Sequence, residues 1–195
     1  MIINGIFISW HLDMNLNKLV RFANFFYSLA TNSEPLPEDS KDLTPDKTIV
    51  KLAKNDKGLA QNKAEANPKM KSPFLNKILS HAPNYSWIET HYLDKISKPD
   101  FKKMTGLEFN DFGDSIRYGL KNVSGNTDLE KPENFDKVEK SDIYKELKRI
   151  GKTFKLMPGD LARISSWGTK DGHPILIDAG LTADVFSDYY EDSDS

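Results

Sequence analysis

One segment constrains this chain more than any other. It runs Gly159-Asp160-Leu161, then Ser165-Ser166-Trp167-Gly168, then Ile175-Leu176-Ile177-Asp178-Ala179-Gly180-Leu181. An Asp-Leu pair in a loop leads into a short strand. The turn residues Lys170-Asp171-Gly172-His173 reverse the chain, and the apolar strand Pro174 to Ile177 returns to an Asp-x-Gly. Two carboxylates 18 positions apart thus bracket a hairpin. Each has an ordinary reading on its own. Asp-x-Gly after a strand is a common turn, and Asp160 after Pro158-Gly159 suits a turn or a helix cap.

Composition decides less. The 195 residues suffice for one domain or two small lobes, and an apolar fraction of 38% with 11 Phe can fill a core. A net charge of −2 gives no reason to expect nucleic-acid binding. Cysteine is absent, which excludes disulfides, thiolate nucleophiles and Cys-ligated metal or Fe–S sites. The four histidines, at 11, 81, 91 and 173, have no ligand spacing. The apolar start Met1 to Trp10 lacks a basic leader region and is cut short by His11 and Asp13. It reads as a buried strand or helix start, and a soluble, cytoplasmic protein is expected.

Along the chain, Leu16 to Ala30 has helical spacing, with a pair of twisted strands as the alternative, and the Pro-containing acidic stretch Asn32 to Asp46 reads as a loop. Thr48 to Ala53 is strand-like, Asn55 to Gly58 a turn, and Leu59 to Ala66 a helix stopped before Pro68. Tyr85 to Leu93 is a second strand. Helices follow at Pro99 to Met104, ended by Gly106, and at Phe109 to Leu120. Val123 to Lys140 reads as an exposed, irregular linker. Ser141 caps a helix with Ile143, Tyr144, Leu147 and Ile150 on one face, onto which Trp167 is expected to pack. The basic residues Lys145, Lys148, Arg149, Lys152 and Lys155 read as its solvated face. Glu191 to Ser195 is an acidic tail.

Two further residues join the hairpin carboxylates. Thr48-Ile49-Val50-Lys51 follows the Val-Ala-Ile-Lys pattern, with the lysine at a strand end, and Glu65 follows fourteen residues later on the next helix. The order of strand-Lys, helix-Glu, middle strand, helices, Asp-Leu loop, hairpin and Asp-x-Gly resembles a protein kinase over roughly 48–181. In particular it resembles the compact kinase-like proteins of tailed bacteriophages, through Ala53-Lys54-Asn55, Ala60-Gln61-Asn62, Ala64-Glu65, Ser166-Trp167-Gly168 and Ile177-Asp178-Ala179-Gly180-Leu181.

The resemblance implies an α+β, two-lobe, minimal kinase-like fold. Residues 1–93 would form an N-lobe-like segment with a small antiparallel sheet, and 94–195 a truncated helical C-lobe. It implies ATP and Mg²⁺ as cofactors. Lys51, Glu65, Asp178 and Gly180 would form the cofactor site, Asp178 would be the metal ligand, and Asp160 and Ser165 would be catalytic-loop residues. The Tyr85 to Leu93 strand would receive adenine.

The chain departs from the family pattern at four places. Pro158-Gly159 stands for the usual His-Arg, Ser165 for the metal-binding Asn, and Ala179 for the Phe of Asp-Phe-Gly. No Gly-rich phosphate loop precedes Lys51. These departures favour a degenerate kinase-like protein, a phage-encoded structural or interaction protein with a protein partner and no membrane or nucleic-acid role. The alternative is a minimal ATP- and Mg-dependent kinase with Asp160 as catalytic base and Asp178 on the metal.

Overall fold

Strand β1 (Thr48–Leu52) has one hydrogen-bonded neighbour among the described residues, β3 (Trp87–His91), and pairs with it antiparallel from Thr48 opposite His91 to Leu52 opposite Trp87. Strand β2 (Ile78–His81) takes the other edge of β3, with a bulge between Ile78 and Ser80. The sheet order is therefore β1-β3-β2. Alternation makes β3 the centre, since Ile88 and Thr90 point to one face and are both buried. These relations come from a computed structural model that describes residues 48–190. The expectations for Met1 to Asp46 and for the tail 191–195 lie outside the described residues.

Helix α1 (Asp56–Glu65) follows β1 and packs against β3. The Asn55 side chain accepts from Gly58 N at 3.0 Å, so the expected turn at Asn55 to Gly58 is the helix's N-terminal cap and first turn. Buried Asn62 donates to Tyr85 O at 2.9 Å, tying the helix to the turn before β3.

A second antiparallel sheet has order β4-β5-β6, with β4 (Asp94–Lys95), β5 (Trp167–Lys170) and β6 (His173–Leu176). The β5–β6 turn places Asp171 at φ 51° and Gly172 at φ 77°. Two consecutive left-handed residues are what a tight hairpin turn of right-handed twist requires, and Asp-Gly supplies them at low cost.

The remaining elements are helical. Helix α2 (Lys98–Thr105) is capped by Ser97 and ended by Gly106 at φ 72°. Next come α3 (Phe109–Gly119), α4 (Phe135–Val138), and α5 (Asp142–Thr153) capped by Ser141. Then come α6 (Pro158–Leu161), a 3-10 turn at Ile164–Ser166, and α7 (Ala183–Tyr190). The molecule is thus mixed α+β with small antiparallel sheets. No helix among the described residues is long and apolar enough to cross a membrane.

The core lies between α2, α3, α5 and β5. Phe101, Phe112, Ile116, Leu147, Ile150 and Trp167 are all fully buried there. Trp167 meets Phe101 and Phe112 edge-on, at 5.6 and 5.8 Å between ring centres, and donates its indole N–H to Leu161 O at 3.0 Å. Its aromatic partners come from α2 and α3, and α5 contributes Leu147 and Ile150 to the same buried cluster. The stretch 123–140 differs from the expected linker. Helix α4 sends Phe135 and Val138 into the core, and Phe135 meets Tyr118 and Tyr144 edge-on.

Tyr144 carries a cost. Its ring is buried against Phe135, while its hydroxyl has no hydrogen-bond partner among the described residues. Burial pushes that phenol up to about 12. The hydroxyl fits only because residue 119 is glycine, since a Cβ there would lie 2.2 Å from it. A buried unpartnered hydroxyl costs about 1–3 kcal/mol. Tyr144→Phe should therefore hold or raise the melting temperature, and Gly119→Ala should lower it. In the Tyr144→Phe background the Gly119→Ala penalty should shrink. Thermal unfolding of the three variants checks this, and an equal penalty in both backgrounds would contradict the proposed clash.

Candidate functional site

The site begins with the placement of Lys51. It lies opposite Ile88 in the β1–β3 register, on the face that α1 covers. Its ammonium reaches away from the sheet and donates to Glu65 Oε1 at 2.7 Å and to Ile177 O at 2.7 Å. One cation therefore joins three elements: β1, the end of α1, and the end of the β5–β6 hairpin 126 positions away. The lysine side chain is 28% exposed and the glutamate 8%.

Glu65 is held against two unfavourable terms. It is buried, and it sits at the carboxyl end of α1, where the helix dipole opposes a negative charge. Burial pushes its carboxyl above the ordinary glutamate value. Lys51 opposes that shift, and the negative charge of Asp178 adds to it. Surface ion pairs contribute only ~0–1 kcal/mol. The structure instead places one partner in the interior, where loss of the other leaves an uncompensated carboxylate.

Asp178 follows Ile177 directly, so the Lys51–Ile177 bond fixes the backbone from which its exposed carboxylate projects. On the hairpin side the same residue is fixed by Ile177 N, which donates to Ser166 O at 2.8 Å. Asp160 lies on α6, half-buried. Burial and the neighbouring Asp178 charge both raise its carboxyl above the ordinary aspartate value, and Arg163, 3.4 Å away, opposes them. Lys51, Glu65, Asp178 and Asp160 thus form one electrostatic group.

The other two candidate residues are placed differently. Ser165 is exposed on the 3-10 turn, and among the described residues no hydrogen bond ties its hydroxyl to either aspartate. Gly180 is buried against α1. A Cβ there would lie 2.8 Å from Gln61 O, so this glycine permits a close backbone approach.

Three contributors lay beyond the sequence reading. Arg163 has a legible signal, the i,i+3 spacing from Asp160. Asn62 enters the sequence reading only within Ala60-Gln61-Asn62, where nothing marks it as the residue that anchors α1. A cavity of about 660 Å³ lies behind the ion pair, lined by Glu65, Met70, Leu75, Ile78, Leu176 and Ala179 among others. Neither Lys51 nor the two aspartates line it.

Chemically, a cation and two carboxylates suit a ligand that brings both phosphate oxygens and a hard divalent ion. Among the described residues no three His, Asp or Glu side chains form a cage. Two carboxylates fit a Mg²⁺ ion that keeps most of its shell as water and phosphate oxygens. Comparisons with protein-family models, with curated proteins and with solved structures return no match.

The raised Glu65 carboxyl sets a pH dependence. A group whose folded value lies above its unfolded one binds protons more tightly in the native state. Its contribution to stability is therefore lost as pH rises from the ordinary value of 4.5 through the folded value. Glutamine does not titrate. The melting temperature of Glu65→Gln relative to wild type should move in the variant's favour as pH rises from 4.5. A difference independent of pH would show that Glu65 titrates alike in both states.

Proposed function

We propose that this chain is a protein-kinase-like, Mg-nucleotide-binding protein whose phosphate site is built on Lys51, Glu65 and Asp178. The observation that carries the reading is the Lys51 ammonium, held between Glu65 Oε1 and the carbonyl immediately before Asp178. A lysine positioned this way is a fixed point charge beside a carboxylate that has an open side. That pairing suits a phosphate–magnesium unit better than a purely structural ion pair, which would need no second carboxylate nearby.

When bound, Mg-ATP supplies the transferable phosphoryl group. Lys51 would neutralise phosphate oxygens and Glu65 would orient the ammonium. Asp178 would contribute one carboxylate to the magnesium shell. Asp160 would accept a hydrogen bond from an acceptor hydroxyl and take up its proton. Its raised proton affinity suits that role, because a base works best when its value approaches the working pH. The backbone of β3 is paired on both sides, so an adenine edge would be received at the connector Tyr92-Leu93 and not along the strand itself.

One observation favours a second reading, a kinase-like protein that binds without turnover and works through its surfaces. Ser165 stands where a second metal ligand would be expected, and its exposed hydroxyl is untied to the carboxylates. Titration calorimetry with Mg-ATP separates the possibilities. Micromolar binding is expected in wild type, weakened about 10- to 100-fold by Lys51→Met or Asp178→Ala, the range for loss of a charge-assisted contact. Asp160→Ala should keep binding and lose phosphate transfer to a hydroxyl acceptor. Binding with no transfer in wild type selects the second reading. No binding at millimolar nucleotide refutes both the phosphate site and the magnesium role of Asp178.

A further inference from the structure

Lys57, Gln61 and Glu65 recur every four residues and so form one stripe along α1. Glu65 holds Lys51. The other two are engaged by the tip of α7. The Lys57 ammonium sits 3.4 Å from the centre of the Tyr190 ring, and Gln61 Nε2 donates to the Tyr190 hydroxyl at 3.2 Å. The Tyr190 ring stacks on Phe186, one turn back, at 5.6 Å and 5° between planes.

The other end of α7 is fastened to the segment that leads to Asp160. Met157 N donates to Leu181 O at 2.9 Å, and Ala183 N donates to Lys155 O at 2.7 Å. Lys155 pairs with Asp184 at 3.0 Å, and Thr182 Oγ1 accepts from Val185 N at 3.2 Å, capping the helix. Between the two ends, Gly180 lies against the Gln61 carbonyl with no room for a side chain.

These contacts close a ring: Asp160 segment, α7, α1, Glu65, Lys51, Ile177 and Asp178. We infer that α7 is a strut that sets the position of Glu65 on Lys51, with Tyr190 as the positioning residue at its tip. Among the described residues, the other restraints on α1 are the Asn62 bond to Tyr85 O and the close approach of Gly180 to Gln61. The helix's only buried residues are Asn62 and Glu65, and it lacks a strong apolar face, so packing alone does not fix its rotation or its distance from β1. The cation–ring contact and the glutamine bond fix it from the outer side. The inference deepens the nucleotide reading, because the ion pair it secures is the one assigned there to phosphate. Its test does not depend on nucleotide.

The test is NMR of lysine ammonium groups in the full chain, with the Lys51 signal assigned by its loss in Lys51→Met. A doubly hydrogen-bonded ammonium exchanges its protons slowly. Tyr190→Ala should speed Lys51 ammonium exchange by roughly 10-fold, the scale set by one cation–ring contact plus one hydrogen bond. Tyr190→Phe keeps the ring under Lys57 and should restore most of the protection. The Trp167 indole resonance should stay in place, since its bond to Leu161 O involves neither Tyr190 nor Lys57. If Tyr190→Ala displaces that resonance through general unfolding, Lys57→Met, which removes the same contact from the α1 side, decides the matter.

Unchanged Lys51 exchange in a folded Tyr190→Ala or Lys57→Met protein overturns the strut. Faster exchange that the phenylalanine variant restores supports it. A protein in which these shifts occur but Mg-ATP does not bind retains the strut and loses the nucleotide reading.

Discussion

The structure turns on one ammonium group. Lys51 ties the β1-β3-β2 sheet to α1 and to the end of the β5–β6 hairpin with two bonds of 2.7 Å. Those bonds are not free of cost. Near a protein surface an opposite unit charge about 4 Å away attracts with roughly 4 kcal/mol, and desolvation of both groups offsets much of that. The direction of the Glu65 shift shows which term wins. Its carboxyl lies above the ordinary value even with Lys51 bonded to it, so burial outweighs the partner. A pair placed for stability alone would sit in an environment that favoured both charges. This one is held by the surrounding fold in a position where its charges are exposed to each other and only partly to water.

Much of the local structure was legible because it rests on short-range chemistry. Ser141 caps α5, Gly106 ends α2, and Asp171-Gly172 turns the hairpin, each within a few residues of the element it defines, whereas the Asn55 cap of α1 read as a turn and the helix as starting three residues late. Strand β2 gave no such signal. Ile78 to His81 is short, and it is a strand only because β3 offers an edge. Helix α4 was hidden for a related reason. Phe135 and Val138 are two apolar residues in a charged stretch, and only the pocket between Tyr118 and Tyr144 makes them core. Helix α7 is set among acidic and aromatic residues and was likewise passed over.

The site was legible in a different sense. Lys51, Glu65, Asp160 and Asp178 were each ambiguous singly, and their order along the chain raised the expectation that they meet. Sequence order does not supply the meeting itself. That depends on a contact between residues 126 positions apart and on a buried helix end. Gly180 illustrates the limit. Its motif suggests a ligand contact, and its packing adds a requirement the motif does not carry, a backbone lying so close to Gln61 that a Cβ would come within 2.8 Å of its carbonyl oxygen.

The spacing of the two aspartates follows from packing remote from either. Trp167 opens β5 at the centre of the aromatic core, fixed by Phe101 and Phe112, and its indole N–H holds the last carbonyl of α6, the helix that carries Asp160. Ser166, the preceding residue, accepts from Ile177 N and so holds the backbone next to Asp178. Adjacent residues of one turn therefore restrain both carboxylates. Gly168 completes the arrangement, since a Cβ there would lie 2.8 Å from Leu93 Cβ and 3.1 Å from Asp94 O. The hairpin can approach β4 this closely only with glycine at that position. A core of this density does not yield smoothly, so displacement of the Trp167 ring would move α6 and the hairpin end together. Burial first, and then the like charge of Asp178, raise the Asp160 carboxyl. The two carboxylates stay together because the hydrophobic core beneath them, and no bond between them, sets their separation.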